Sequence, residues 1–320
     1  MKKRKITVLA LCAILSMTTL LTSVNTIEAK TTNKTMKNVQ DEIKVYLEQN
    51  HPEIKIGTPE YVEYLAEQMV LETDNALRTR ADYEDICTYA ARYLILVNKK
   101  QTIFSDESRI LNLTKEELQE TLQEIREEVE NEEKTEILSN SRASVAAQNY
   151  TASSAVAYAR NWAKSRNNAY SSYSSDCTNF VSQALAAGGI TMKKPSTVTH
   201  GTYNTTSYWY SIKHQFTGTT GVLITYEYDV SSSWINVSDL YSYAKNNGAT
   251  IISCSSLSSL QSTAKPGDVV QLKNSGGWYH SIIITGGSSG SRTYCAHTTD
   301  RLDQPVSSIS GATSFRIIRY

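Results

Sequence analysis

Cysteine is scarce in this chain, with five residues in 320. Cys12 lies in an N-terminal apolar run, so removal of a leader would leave Cys87, Cys177, Cys254 and Cys295. Disulfide-framed domains are denser in cysteine, which excludes a cystine scaffold. A Cys254–Cys295 bridge is compatible with the sequence but not demanded by it. Buried free thiols behaving as small apolar residues are the expectation.

Long apolar runs are equally few. Residues 6–21 form one, preceded by Lys2, Lys3, Arg4 and Lys5 and followed by a polar stretch ending in Ile27-Glu28-Ala29. That order reads as a signal peptide over 1–29, somewhat short for a membrane span; an uncleaved anchor is the alternative. Bulky Leu11 before Cys12 argues against lipid attachment there. No second run reaches spanning length. The mature chain is therefore expected to be soluble, with no stable membrane insertion, and to be secreted or wall-associated.

Net charge is also lacking, at zero for the whole chain. This conceals an asymmetry: residues 38–140 hold 24 acidic and 11 basic side chains, and residues 141–320 hold 7 and 14. Opposite balances suggest two folding units, an acidic helical domain over 30–140 and a second domain over 151–320, joined by a linker at 141–150. The negative half argues against gripping nucleic acid or anionic wall polymers. Its Glu-rich helix face reads as a solvated surface.

Helical signals dominate the first half. Residues 30–40 look flexible, and Asp41 is placed as the start of the first helix. Thr58-Pro59-Glu60 is a helix start with proline in the first turn. A third helix runs from Asp82 with Ile86, Tyr89, Ala90, Tyr93, Leu94 and Val97 on its apolar side. Thr114-Lys115-Glu116-Glu117 is a capping box opening a helix whose stripe is Leu118, Leu122, Ile125 and Val129. No internal repeat or catalytic cluster occurs here.

In the second half, residues 152–166 and Asp176 to Ala187 read as helices, the latter stopped by Gly188-Gly189. Residues 190–236 look irregular and aromatic, reading as loops with short strands, with Tyr203, Tyr208, Trp209 and Tyr210 fitting either a groove or ordinary packing. Ser238 is expected to cap a helix ending near Gly248. Thereafter strands alternate with Gly/Ser/Asn turns, as in an antiparallel meander. Helices first and sheet afterwards indicate an α+β fold.

Asp176 is a strong N-cap residue type and would place Cys177 in the first turn of its helix. There the unpaired N–H groups and the helix dipole favour a thiolate and can bind an oxyanion. A base must be near in space. His280 opens an apolar strand in Tyr279-His280-Ser281-Ile282-Ile283-Ile284-Thr285-Gly286, and His297 ends the next one. Adjacent antiparallel strands can set one as base and the other as its orienting partner. A zinc site from Cys177, His280, Cys295 and His297 is a poorer reading, because Cys295-x-His297 lacks a ligand knuckle. No cofactor and no metal are expected.

Several segments together resemble an amidase domain family of secreted bacterial proteins. They are Asp176-Cys177-Thr178-Asn179-Phe180-Val181-Ser182-Gln183, Pro266-Gly267-Asp268-Val269-Val270, the His280 strand, and His297-Thr298-Thr299-Asp300-Arg301. Tyr158 to Ala163 and Ser233 to Val237 are similar too. The resemblance spans roughly 150–320. It implies a papain-like domain, akin to CHAP amidases and papain-like cell-wall endopeptidases, with a Cys-bearing helix packed on an antiparallel sheet. By resemblance Cys177 is nucleophile and His280 base, with His297 as third member and Asp300 as its alternative. Tyr279 stands where related sequences often carry an acidic residue. The implied reaction is amide hydrolysis through a thioester, with a peptide or peptidoglycan-like substrate. Transamidation by the same pair and a non-catalytic wall-binding module are the alternatives.

Overall fold

The computed structural model describes residues 34–104, 106–139, 149–198, 200–217 and 224–320, with backbone alone at 133–139, 215–217 and 224–227. The signal-peptide expectation over 1–29 lies outside the described residues, as does most of the linker expected over 141–150.

Helix α1 (Met36–Asn50) starts five residues before Asp41. Thr35 and Asn38 exchange side-chain and backbone bonds, so an Asn serves where a capping box usually has Glu or Gln. α2 (Pro59–Leu71) is capped by Thr58 with proline in its first turn, as its sequence predicts. After the short α3 (Asn75–Arg78) comes α4 (Tyr83–Lys100), which buries Ile86, Tyr89, Ala90, Tyr93, Leu94 and Val97. α5 (Glu107–Leu111) leads to α6 (Lys115–Gln119), opened by the Thr114/Glu117 capping box.

The single helix expected from Thr114 is two. Glu120 turns extended (ψ 130°), its carbonyl accepts from Met36 N, and Leu122 N donates to Lys34 O. These bonds to the start of α1 take the chain out of the helix. Thr121 and Glu124 then open α7 (Leu122–Ser139). Leu122, Ile125 and Val129 are buried as the stripe predicts, while the Glu side chains between them face solvent.

α8 (Ala152–Trp162) and α9 (Cys177–Ala187) form next. α9 stops at Gly188-Gly189, where Gly189 adopts φ +99°; a Cβ there would lie 2.7 Å from Asn149 O. The stretch expected to be loops with short strands forms a small sheet: β1 (Thr202–Tyr203), β2 (Ser211–Thr217) and β3 (Ile224–Ser231), in the order β1-β3-β2. α10 (Ser232–Ile235) and α11 (Val237–Asn246) follow. The cap of α11 is Asn236, whose side chain accepts from Ser238 N and Asp239 N, rather than Ser238.

The main sheet comprises β4 (Thr250–Cys254), β5 (Val269–Asn274), β6 (Gly277–Gly286), β7 (Thr293–Ala296), β8 (Arg301–Pro305) and β9 (Ser314–Arg319), with α12 (Leu257–Thr263) after β4. Its order is β4-β9-β5-β6-β7-β8 and every pairing is antiparallel. β5 to β8 make the expected meander, and β9 returns between β4 and β5. The fold is α+β, with the cysteine-bearing helix against the antiparallel sheet.

Alternation assigns the two faces. Val269, Ile283, Cys295 and Ile318 pack with α8, α9 and α11 in one hydrophobic cluster. Val270, Leu272, Ile282, Ile284, Tyr294, Phe315 and Ile317 pack in another with side chains of α1, α2, α4 and α7. The acidic helices and the sheet thus share a core. The β5–β6 turn docks on α4: a Cβ on Gly276 would lie 2.4 Å from Thr88 O, so only glycine fits. Among the described residues no helix is long and apolar enough to cross a membrane.

Candidate active site

Cys177 occupies the first position of α9 and is fully buried, packed against Val237 and Trp278. Its Sγ lies 3.7 Å from Thr178 Oγ1. A chain of polar contacts runs on beneath it. Thr178 Oγ1 meets Ser281 Oγ at 3.1 Å, Gln271 Nε2 donates to Val237 O at 2.8 Å, and Arg316 Nε donates to Gln271 Oε1 at 2.6 Å. The Arg316 guanidinium lies between Tyr241 and Trp278, 3.6 and 4.0 Å from the ring centroids.

Asp176 sits at the N-cap position of α9, but its carboxylate makes no capping bond. Stronger partners draw it away. Oδ1 accepts from Tyr173 N at 3.1 Å and Asn179 Nδ2 at 2.8 Å. Oδ2 accepts from His297 Nδ1 at 2.6 Å, with Arg166 Nε at 3.4 Å. The Asp176 N–H donates to Thr298 Oγ1 at 2.9 Å. Thr298 holds φ +77°, a left-handed conformation costly for a β-branched residue and kept by these contacts. Asp176 therefore anchors the loop before Cys177 to the turn after β7.

The family described as "Putative amidase domain" matches residues 149–319. The chain belongs to this amidase family. No curated protein and no solved structure matches the chain.

Within the amidase domain the residues singled out from sequence fall in three places. Cys177 lies at the start of α9 as expected. His280 pairs with Leu272 across the sheet, and so shares the face that carries Leu272, Ile282 and Ile284. Ser281, the next residue, turns to α9. His280 is 2% exposed, its Nε2 has no hydrogen-bond partner among the described residues, and its ring stacks near Tyr279, whose hydroxyl donates to Met69 O of α2. Cys177 and His280 thus face opposite sides of the sheet.

His297 is on the α9 side, stacked on Phe180 with centroids 4.0 Å apart. Its Nε2 donates to Trp162 O at 2.8 Å and its Nδ1 to Asp176. Neither nitrogen is left to take a proton from the thiol. Asp300 accepts from both Arg166 Nη atoms at 2.9 Å, a bidentate clamp away from Cys177.

The electrostatics match this separation. Burial pushes the Cys177 thiol above its ordinary value, against the lowering effect of Ser281 N–H and Thr178. Burial, aided by the Arg301 guanidinium, pulls His280 down to about 4. A neutral thiol and a neutral imidazole follow at neutral pH.

The four donors weighed for zinc do not converge, since His280 faces away from Cys177, Cys295 and His297. Cys254 and Cys295 are free and belong to clusters on opposite faces. Trp209 and Tyr210 are fully buried, and Trp209 Nε1 donates to Ser182 Oγ, so these two aromatics are packing.

Sequence reasoning missed Ser281, Gln271 and Arg316. Gln271 had a signal, as a lone amide inside Val269-Val270-Gln271-Leu272. Ser281 and Arg316 had none until strand register gave each a face.

Proposed function

We propose that the protein is a secreted cysteine amidase or peptidase of papain-like architecture that hydrolyses amide bonds in cell-wall peptides. Membership of the amidase family supports the reaction class. The observation that carries the nucleophile is the position of Cys177 in the first turn of α9, where the unpaired N–H groups of the helix start favour a thiolate and an oxyanion.

Chemistry requires His280 to reach the α9 side. The sheet has a means for this. Leu272 pairs with His280 and Lys273 with Trp278, which leaves Tyr279 as an extra, bulged residue. Moving the bulge from Tyr279 to His280 would pair Leu272 with Tyr279 and turn His280 to the face of Ser281, with the rest of β6 in register. His280 then takes the thiol proton, and Sγ bonds to the amide carbon. The C–N bond breaks as His280 protonates the leaving amine. Water, deprotonated by the same ring, releases the acid from the thioester.

One observation favours a second reading, a non-catalytic module on the same fold: the nucleophile and the base are on opposite faces. Mass spectrometry of the full chain incubated with peptidoglycan peptides separates the two. The catalytic reading expects an acyl adduct on Cys177, absent in Cys177→Ala, and turnover at least about a hundredfold lower in His280→Gln. Intact peptides and an unmodified Cys177 would favour the binding module.

A further inference from the structure

Two carboxamides at the C-terminal end of α4, Asn98 in its last turn and Gln101 as its C-cap, each complete a donor–acceptor pair on backbone beside Cys177. Asn98 Nδ2 donates to Ile235 O at 2.8 Å, and Asn98 Oδ1 accepts from Val237 N at 3.1 Å. One helical turn later, Gln101 Nε2 donates to Ser175 O at 3.0 Å and Gln101 Oε1 accepts from Ser175 N at 2.8 Å. Asn98 is 1% exposed and Gln101 3%. Ser175 lies two residues before Cys177, and Val237 packs on Cys177 itself. The two amides therefore hold backbone on both flanks of the candidate nucleophile.

A carboxamide carries the same donor and acceptor as a peptide unit. Gln101 takes the N–H and C=O of one residue, as the facing residue does in an antiparallel hydrogen-bonded pair. Asn98 takes a C=O and an N–H two residues apart, the pattern that a parallel strand presents to one partner residue. An extended peptide would bond these same four groups by strand addition. Elsewhere α4 meets the sheet mainly through apolar side chains, with Thr88 Oγ1 bonded to Ser275 Oγ at the β5–β6 turn. Its two amides lie only where backbone is on offer, which is the condition for burying them cheaply. A cleft of about 330 Å³ runs alongside, lined by Ile95, Thr102, Asn236, Val237 and Trp278 among others, with room for peptide side chains.

We propose that Ser175 and Ile235–Val237 are the backbone-binding edges for an extended peptide substrate at Cys177, and that α4 occupies them as a built-in peptide mimic. This rests on Cys177 being the nucleophile. The described form is then self-occupied, with the thiol sealed behind Val237 and Trp278.

The test uses the full chain and its Asn98→Asp/Gln101→Glu variant, which keeps side-chain shape but removes both donors. Iodoacetamide labelling at pH 7.5 is followed for each cysteine by mass spectrometry, with and without millimolar acetyl-trialanine-amide. The expected result is Cys177 labelling at least tenfold faster than in the parent, with Cys254 and Cys295 unchanged. The blocked peptide should slow Cys177 in the variant and not in the parent. Cys177 remaining as slow as in the parent overturns the proposal. So does acceleration of all cysteines together, which marks general loosening, or a variant rate that the peptide leaves unchanged. Asn98→Ala/Gln101→Ala provides the same readout if the acidic variant does not fold. Labelling requires no hydrolysis, so an opened and peptide-protected Cys177 that never forms an acyl adduct sinks the catalytic reading alone.

Discussion

At the scale of single residues, the buried, hydrogen-bonded Asp176–His297 pair next to Cys177 is the least replaceable feature. Asp176 and His297 are both about 1% exposed at the side chain and 2.6 Å apart. Removing one partner strands the other without solvent. Asp176→Ala is expected to cost about 3–5 kcal/mol, read from urea unfolding midpoints. An effect near zero would mean that Arg166 alone satisfies the loop. His280 makes a pH-dependent contribution. Its folded pKa, about 4, lies below the ordinary 6.5, so the folded state favours the neutral ring. Between those values the unfolded chain binds more protons, and stability falls as pH drops through that window. The full difference is about 3 kcal/mol. Comparing parent with His280→Gln at pH 7.5 and 4.5 isolates it, and the variant should lose less stability on acidification. Equal losses would place the acid sensitivity elsewhere.

At the scale of elements, caps decide where helices begin. Asn236, and not Ser238, accepts from the first N–H groups of α11. Asn236→Ala should lower stability by about 1 kcal/mol, while Ser238→Ala should change it little. Thermal unfolding of the two variants checks this, and the reverse order would restore Ser238 as the cap. The break between α6 and α7 has the same local origin. Thr121 and Glu124 form a second start immediately after Glu120 turns extended. The bulge in β6 is the element with functional consequence, because one extra residue there decides which face His280 occupies.

For the whole molecule, the relation between the acidic helices and the sheet matters most. Val270, Leu272, Ile282, Ile284, Phe315 and Ile317 are covered in one cluster with α1, α2, α4 and α7. A fragment of residues 140–320 would expose that face, and a patch of that kind drives association. It is expected to aggregate or to bind hydrophobic dyes, whereas the full chain should unfold in one calorimetric transition. A monodisperse, folded fragment in analytical ultracentrifugation would contradict this.

Sequence patterns by themselves determined much of the frame. The Thr58 and Thr114 starts, the apolar side of α4, the Gly188-Gly189 stop, and the order of helices then strands follow from local bonding and periodicity, which neighbouring residues specify. The residues Cys177, His280, His297 and Asp300 were visible as reactive types in family motifs. Only the tertiary structure decided what each one faces. Side-chain direction in β6 depends on a single bulged residue opposite Leu272, and no local pattern marks a bulge. The Asp176 carboxylate left its cap position because His297 and Arg166 reach it from more than a hundred residues and from ten residues away in sequence respectively. Asn98 and Gln101 read as ordinary helix polar residues until folding laid them against Ser175 and Ile235–Val237. Periodicity reports which side of an element is buried; what that side meets is set by chain segments distant in sequence, whose contacts exist only after they pack.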